Sequence, residues 1–268
     1  MISVCMSYYR RAGLLENTIE SIIQQTQVPI ELVVVNDDIP QQDIIDLCEE
    51  YKQSKPIVNI KLLHTKRDYY FRNQNLCSNV AIKNASFDHI ILQNPECVWV
   101  GDVAGGLLSL MTNTTRPYFC CRCLSLSEQD NKDLTNLIDQ NRLKIGDFND
   151  RQEYVGKSNP RPFFFCCGMK RQDFIDIGGF DERIKDIAHD DDLLAFMVAR
   201  NNFDIRILSD EQFYVLHQNH DRSNQQHAGT AQAANRSYMV YQTIVKNILS
   251  GAEPPIANFN REWGILSL

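Results

Sequence analysis

Residues 31–38 read Glu-Leu-Val-Val-Val-Asn-Asp-Asp, in which an aliphatic run ends abruptly in an amide and two carboxylates. A short run that is apolar on both faces is typical of a strand inside a parallel sheet. Similar runs begin 28, 27 and 32 residues apart, at Ile2, Ile30, Ile57 and His89. This spacing is about the length of one βα unit and predicts an α/β fold with a mostly parallel central sheet flanked by helices.

Helical periodicity fills the intervals between these runs. Leu15, Ile19 and Ile22 recur on one predicted helix face, and Ile44, Leu47 and Tyr51 recur on a second. Further along the chain, apolar runs and turn residues predict the remaining elements. The predicted strands include residues 4–7, 32–35, 90–92, 117–124, 163–168, 205–208 and 213–217. The predicted helices include residues 101–111, 130–141, 190–200 and 232–249, and residues 144–162 are predicted to form a loop.

The composition excludes several classes of protein. The 268 residues are 43% hydrophobic and 23% charged, which is close to the average of a globular chain. The 27 Lys and Arg against 34 Asp and Glu give a net charge of −7, whereas nucleic acids and anionic membranes select for clustered positive charge. No apolar run approaches the roughly 20 residues of a membrane span, and the first residues lack the pattern of a signal peptide. We therefore expect neither a nucleic-acid partner nor an integral membrane segment.

The nine cysteines are odd in number and irregular in spacing. Without a secretion signal, they are expected to be reduced thiols packed as small hydrophobic residues. This usage predicts a cytoplasmic location. A zinc site formed by Cys121, Cys123 and the adjacent Cys166 and Cys167 is the alternative.

Polar residues follow each of the first four predicted strands. Because the carboxyl ends of parallel strands meet at one edge of a sheet, these residues are expected to converge there. An aromatic ring, paired acids, cations and a further carboxylate suit a base, a ribose and phosphates held partly through a metal. The alternative is structural, with Tyr8 at the edge of the core and the acids capping helices. The four segments are residues 7–11, 36–38, 64–72 and 93–96.

In the order of these segments the chain resembles the GT-A glycosyltransferases of the family 2 type, over most of residues 1–220. Residues 3–10 are similar to the opening strand of that family, whose tyrosine lies near the nucleotide base. Residues 31–38 resemble its second strand, whose acid recognises the base. Asn-Pro-Glu at residues 94–96 corresponds to the metal-binding strand end, which is usually Asp-x-Asp and in one branch Asn-Pro-Asp.

The resemblance implies a set of donor and metal contacts. The usual arginine of the third helix is Ser78 here, which leaves Arg72 as the best substitute for the phosphate contact. The implied donor-binding residues are Tyr8, Asn36, Asp37, Arg72 and Asn94. Glu96 is implied as a ligand of the metal.

A second signature is shared with the galactosyltransferase-like branch. Gly-Gly-Phe-Asp-Glu at residues 178–182 is followed by His-Asp-Asp-Asp at residues 189–192. In the resembling families these motifs shape the acceptor side and supply the general base, which implies Asp190 as the base. The implied acceptor-binding residues are Asp181, Asp191 and Asp192.

Related enzymes place a histidine after a late strand to complete the metal shell. His217 is the better match to that histidine, and His220 is the second. Imidazole with carboxylate suits Mn²⁺, with Mg²⁺ as the alternative.

The expected organisation is a single GT-A domain over residues 1–268. Residues 1–100 form the nucleotide-sugar half, residues 101–225 the acceptor and catalytic half, and residues 226–268 a helical tail. The resemblance implies an inverting, metal-dependent transfer of a sugar from a nucleoside diphosphate sugar, UDP-linked, to a hydroxyl group of a glycan or another acceptor. A non-catalytic nucleotide- or glycan-binding domain and a sugar-1-phosphate nucleotidyltransferase are the alternatives.

Overall fold

Two β-sheets form the framework of the computed structural model, which describes residues 1–65, 73–186, 188–209, 212–220 and 230–266. The strands are β1 (Ile2–Tyr8), β2 (Ile30–Asn36), β3 (Ile57–His64), β4 (His89–Gln93), β5 (Cys97–Val100), β6 (Pro117–Cys121), β7 (Cys123–Ser125), β8 (Glu153–Val155), β9 (Cys166–Lys170), β10 (Asp204–Leu208) and β11 (Tyr214–His217). The helices are α1 (Ala12–Gln25), α2 (Gln42–Tyr51), α3 (Gln74–Asn84), α4 (Val103–Thr112), α5 (Glu128–Asp139), α6 (Arg171–Asp176), α7 (Asp190–Arg200) and α8 (Thr230–Leu249).

The larger sheet has seven strands in the order β10-β6-β9-β4-β1-β2-β3. It is parallel except at β9, which runs antiparallel to both β4 and β6. Every residue of β1 and β2 is buried, as the double-sided apolar pattern of residues 31–38 predicts. The predicted α/β fold with a mostly parallel central sheet is confirmed. The smaller sheet has four strands in the order β5-β11-β7-β8.

The amphipathic helices bury the predicted faces. Helix α1 buries Leu15, Ile19 and Ile22, and α2 buries Ile44, Leu47, Cys48 and Tyr51. Helix α7 begins and ends at the predicted residues, 190 and 200. In α5, the Ser127 hydroxyl accepts the Asp130 N–H while the Asp130 carboxylate accepts the Ser127 N–H, which forms a capping box that fixes the start of the helix.

Arg122 divides the strand that the sequence predicts over residues 117–124. Its backbone N–H donates to the Leu208 carbonyl at 3.0 Å in the larger sheet, while its carbonyl accepts the Val215 N–H at 2.9 Å in the smaller one. The chain therefore passes from one sheet to the other at Arg122. The guanidinium is held by Glu153 at 2.7 Å. Glu153 belongs to β8, a short strand inside the predicted loop over residues 144–162.

All nine cysteines are buried and free. The alternative zinc site is not supported, because in the described part of the chain no three of the sulfurs gather within reach of one ion. Within the same residues, no helix combines the length and the apolar character needed to cross a bilayer.

Candidate active site

The first four strands of the larger sheet end at one edge. The register places Asn36, the last residue of β2, beside Tyr8 at the end of β1 and His64 at the end of β3. Strand β4 pairs with the other side of β1 and ends at Gln93. In open α/β sheets, ligands bind outside this carboxyl edge. The polar segments predicted to converge therefore lie at the position where a ligand is expected.

Tyr8 is fully buried at this edge. Its hydroxyl accepts a hydrogen bond from the Arg11 N–H at 3.0 Å, at the start of α1. Burial raises the pKa of Tyr8 to about 12, so the phenol stays protonated at neutral pH. In this conformation the ring fixes the entry to α1 and presents no exposed face. Its donor-binding role stays a prediction.

The polar end of β2 organises the neighbouring backbone. Asn36 donates to the Ile39 carbonyl at 3.1 Å and lies 3.2 Å from Nδ1 of His64. Asp37 accepts the Asn73 N–H at 3.0 Å, and the Asn73 side chain caps α3. Asp37 therefore contacts the start of α3, while Asn36 contacts the ends of β2 and β3. Arg72, the predicted phosphate contact, lies outside the described residues.

Glu96, His217 and His220 form a cluster beside the end of β4. Nε2 of His220 lies 3.1 Å from Oε1 of Glu96, and Nε2 of His217 lies 3.5 Å from the same oxygen. One ligand atom from each of the three residues lies within 4.8 Å of the others. Pairing of β11 with β5 brings His217 here, because His217 stands opposite Cys97, the residue after Glu96.

The surroundings of Glu96 favour the ionised form of its side chain. Burial alone would raise the pKa of Glu96, but hydrogen bonds from His217 and His220, together with the charge of Arg11, hold it well below its usual range. Arg11 lies 3.2 Å from Oε1. The second oxygen, Oε2, is buried and has no hydrogen-bond partner among the described residues. An ionised carboxylate oxygen that has no hydrogen-bond partner is free to bind a cation.

A surrounding shell fixes the cluster. Gln218 donates from its backbone N–H, at 3.0 Å, and from its side chain, at 3.2 Å, to the Glu96 carbonyl. The rings of Tyr154 and Phe165 each approach the His217 ring edge-on, with centroids 5.3 Å apart. These ring contacts limit rotation of the His217 imidazole.

Asp190, Asp191 and Asp192 form an acid turn at the start of α7, and contacts of Asp191 connect this turn to the cluster. Asp191 Oδ1 accepts the Phe164 N–H at 3.1 Å. The next residue, Phe165, packs on His217 and accepts the Asn94 N–H on its carbonyl at 3.1 Å. Phe164 and Phe165 therefore connect the acid turn to Asn94 and His217, although nearly 100 residues separate Asp191 from Asn94 in sequence.

Repulsion and burial shape the acid turn. Burial raises the pKa of Asp190, and burial together with the Asp190 charge raises that of Asp191 well above its usual range. His189 adopts a left-handed conformation with φ of +65° and pairs through Nδ1 with Asp192 at 3.0 Å. Residues held in such conformations cluster at functional sites, where the surrounding structure maintains the strain.

Asp181 has a different environment from the other predicted acceptor acids. Its side chain is fully buried and forms a bidentate pair with Arg183, at 2.7 and 2.9 Å. In this conformation it exposes no oxygen to an acceptor, so that role stays a prediction.

Sequence reasoning did not find the residues that hold the Gly-Gly-Phe-Asp-Glu segment. Asn79 of α3 accepts the Phe180 N–H at 2.8 Å and donates to the Phe180 carbonyl at 2.9 Å. Asn75 donates to the carbonyls of Asp181 and Ile184, each at 3.1 Å. These partners lie about 100 residues apart, so no local pattern indicates them.

Comparison with protein families decides the assignment. The profile described as "Glycosyl transferase family 2" matches residues 3–178, which is more than half of the chain. The chain belongs to glycosyl transferase family 2. No curated protein matches it in sequence.

Solved structures share the GT-A fold of this family 2 glycosyltransferase domain. S. aureus TarS 1–349 has a TM-score of 0.56 and 16% identity over 81% of this chain, which spans 60% of the length of that protein fragment. The complex of TarS 1–349 with UDP-GlcNAc has a TM-score of 0.62 and 16% identity over 92% of this chain and 66% of the other. The mannosyltransferase PcManGT from Pyrobaculum calidifontis, in complex with GDP-Man and Mn²⁺, has a TM-score of 0.56 and 16% identity. The match covers 83% of this chain and 58% of the mannosyltransferase.

The residues of this family 2 domain fit a divalent cation. Glu96 offers a buried ionised oxygen without a partner, and His217 and His220 offer imidazole nitrogens. One carboxylate with two imidazoles suits Mn²⁺ better than Ca²⁺. His220, the second choice from the sequence, lies closer to Glu96 than His217 does.

Proposed function

We propose that the chain transfers a sugar from a nucleoside diphosphate sugar, UDP-linked, to a hydroxyl group of a glycan or another acceptor. The observation that carries this proposal is the Glu96–His217–His220 cluster after β4, which Phe164 and Phe165 connect to the acid turn of α7. Membership of glycosyl transferase family 2 supports it. So does a fold shared with proteins whose structures hold UDP, UDP-GlcNAc or GDP-Man.

The cation would be held by Glu96, His217 and His220. When bound, Mn²⁺ would neutralise negative charge that develops on the departing diphosphate. Mg²⁺ is the alternative, although imidazole ligands favour Mn²⁺. Arg11, at 3.2 Å from Glu96, adds a fixed positive charge next to the same position.

Asp190 is the proposed general base. It takes the proton of the acceptor hydroxyl as the oxygen attacks the anomeric carbon and the bond to the diphosphate breaks. A raised carboxyl pKa, which burial produces here, makes the group a more effective proton acceptor near neutral pH. Direct attack from the side opposite the leaving group inverts the anomeric configuration. Asp191 and Asp192 would contact the acceptor, and Asp181, which Arg183 holds in this conformation, would belong to the same acceptor site.

The same proposal divides the chain by role. Residues 1–100 would bind the donor, with Tyr8, Asn36, Asp37, Arg72 and Asn94 as contacts. Residues 101–225 would bind the acceptor and supply the base, and residues 226–268 would form a helical tail of one domain. A cytoplasmic location belongs to the proposal as well.

Release of nucleoside diphosphate tests the proposal. The protein is incubated with UDP- and GDP-sugars and a mixture of glycan acceptors, with Mn²⁺ or with EDTA. We expect Mn²⁺-dependent release of UDP or GDP that Glu96→Gln and Asp190→Asn each lower by at least about 100-fold. Glu128→Gln is the matched control, because the Glu128 side chain is 83% exposed on α5.

Three outcomes would contradict the proposal. Release of pyrophosphate instead of a nucleoside diphosphate would identify a nucleotidyltransferase. Binding of nucleotide sugars without turnover in any acceptor mixture would identify a binding domain. Full activity of Asp190→Asn in a folded protein would show that another group is the base.

A further inference from the structure

Three aromatic rings lie together beside the acid turn. The His189 ring is 5.2 Å from the Tyr238 ring and 5.6 Å from the Tyr241 ring, measured between centroids. The two tyrosine rings are 6.5 Å apart, and their planes are inclined by only 21°. These rings form an aromatic patch that joins helix α8, which carries both tyrosines, to the residue that precedes Asp190.

Packing in the core does not account for the two tyrosines of the patch. Tyr238 is 40% exposed. Neither hydroxyl has a hydrogen-bond partner among the described residues, whereas the hydroxyls of Tyr51, Tyr118 and Tyr214 each have one. A ring with an open apolar body and an unused polar end is typical of surfaces that contact another molecule.

The third ring is fixed next to a carboxylate. His189 has φ of +65° and pairs through Nδ1 with Oδ2 of Asp192 at 3.0 Å. The Asp192 side chain remains 40% exposed, so its carboxylate can accept further hydrogen bonds. The patch therefore combines aromatic faces with an exposed acceptor.

The shape and chemistry of the patch fit a sugar ring. An aromatic face is slightly negative and packs against apolar C–H groups, which a sugar ring presents on one side. The hydroxyl groups at the rim of the sugar can donate to a carboxylate. A cation would be the alternative ligand, but cation sites surround their ligand with several rings, whereas the planes here are inclined by at most 43°.

We propose that the aromatic patch binds a sugar ring of the acceptor, with Tyr238 as the open stacking face and Asp192 as a hydroxyl acceptor. The acceptor is then a glycan and not an open-chain polyol or a hydroxyl group of a protein. The inference rests on the proposed function, because it takes the acid turn as the acceptor side. All three rings follow residue 178, where the match to the family profile ends, so the profile does not account for them.

Saturation-transfer NMR on the wild-type protein tests the assignment. The probes are the methyl glycosides of glucose, galactose, mannose and N-acetylglucosamine, with sorbitol as an open-chain control and choline as a cation control. We expect the ring C–H groups of at least one glycoside to receive at least about threefold more saturation than those of sorbitol. This comparison does not depend on any variant.

Two substitutions of Tyr238 locate the contact. Tyr238→Ala removes the ring face, whereas Tyr238→Phe keeps it. We expect Tyr238→Ala to weaken glycoside binding by about three- to tenfold and Tyr238→Phe to retain it. Met239→Ala is the matched control, because Met239 is the next residue of α8, is also exposed and lies outside the patch.

Acceptor kinetics separate stacking from a structural role. With the glycoside that binds most tightly as acceptor, Tyr238→Ala should raise the acceptor KM by the same factor, while kcat and UDP affinity stay near their wild-type values. A residue that only holds α8 in place would instead lower kcat and the melting temperature together.

The outcomes separate this inference from the proposed function. Equal saturation of sorbitol and the glycosides, or undiminished glycoside binding in folded Tyr238→Ala, would overturn the inference while release of UDP or GDP with another acceptor could still be measured. Displacement of the glycosides by choline would overturn it in favour of a cation site. Glycoside binding at Tyr238 without turnover in any acceptor mixture would contradict the proposed function and uphold the sugar contact alone.

Discussion

Asp191 Oδ1 accepts a hydrogen bond from the Phe164 N–H at 3.1 Å, across 27 residues of sequence. The bond fastens the acid turn of α7 to the segment that enters β9. Phe165, the next residue, contacts both Asn94 and His217. One short connection therefore joins the proposed base, the donor edge and the proposed metal ligands. Asp190 and Asp191 are adjacent in sequence, but Asp191 makes this hydrogen bond, so we expect the two acids to differ in role.

Asparagine substitutions should separate the two acids. Asp190→Asn removes the proposed base, so turnover should fall by about 10²–10⁴-fold while nucleotide affinity is unchanged. Asp191→Asn keeps an oxygen that can accept the Phe164 N–H, so most activity should remain. Asp191→Ala breaks that bond and should lower both activity and stability. Steady-state turnover and UDP binding measured side by side check these effects, and equal losses in Asp190→Asn and Asp191→Asn would contradict them.

The pH dependence of stability should change in Asp191→Asn. Burial, together with the Asp190 charge, raises the pKa of Asp191 above its unfolded value, so the folded state binds the proton more tightly. The stability contributed by this group is therefore present at low pH and is lost as pH rises above about 4. Asp191→Asn should melt about 2–4 °C higher than wild type at pH 7, with the difference shrinking at pH 4. A variant that melts lower at pH 7, as Asp191→Ala should, would refute this account.

Much of the fold could be predicted because its strands are apolar on both faces. The run at residues 31–38 shows this, and β2 is buried throughout. The division at Arg122 could not be predicted, because cysteines flank it on both sides and its partners come from Leu208, Val215 and Glu153. Tertiary pairing, not local pattern, determines where that strand breaks.

The candidate site was predictable where it follows strands and unpredictable where it depends on pairing between distant segments. Asn36, Asp37 and Glu96 follow apolar runs, so chain order places them at one edge. His220 ranked below His217 because only the fold shows that it lies 3.1 Å from Glu96. His64 begins the predicted polar segment over residues 64–72, but its contact with Asn36 depends on the register between β2 and β3.

Divalent cations should stabilise the protein through the proposed metal ligands. Ligand at about 100 times its dissociation constant adds about 2.7 kcal/mol, so Mn²⁺ should raise the melting temperature by several degrees and EDTA should reverse this. Glu96→Gln and His220→Ala should each abolish the increase. His89→Gln is the control, because His89 begins β4 at the opposite end of the strand from the cluster. An undiminished Mn²⁺ effect in Glu96→Gln would place the ion elsewhere.

Glu31 should make the fold sensitive to acid. Burial would raise its pKa, but hydrogen bonds from Ser3, Ser86 and Lys61 outweigh burial and lower it to about 2. A depressed carboxyl pKa stabilises the folded state above pH 4.5, and the contribution disappears as pH falls toward 2.

The Glu31 contribution is about 3 kcal/mol at neutral pH, on the order of 1.4 kcal/mol per pKa unit. Urea unfolding should therefore show Glu31→Gln less stable than wild type at pH 7, with a gap that narrows steadily at pH 4 and pH 3. Glu49→Gln removes an exposed carboxylate that pairs only with Lys52 among the described contacts, and it should show no such gap. A constant gap at every pH would mean that packing, not charge, explains the loss.

Gly178 should tolerate no side chain. Its φ is +82°, and a Cβ atom there would lie 1.9 Å from the Ala257 carbonyl oxygen. That oxygen belongs to backbone that the Ala257 N–H ties to Ile177 at 2.7 Å, so it cannot move aside freely. Left-handed strain and overpacking each cost about 1–3 kcal/mol.

Gly178→Ala should therefore lower the unfolding free energy by at least about 2 kcal/mol, measured by urea denaturation. Gly13→Ala is the matched control, because a Cβ at Gly13 in α1 meets nothing within 4 Å. Alanine in that helix should stabilise the protein by about 0.5–1 kcal/mol. The opposite signs of the two changes are the result to be checked. Equal changes in both variants would show that Ala257 yields to a side chain at residue 178 and that the close approach of the two backbones is not needed for stability.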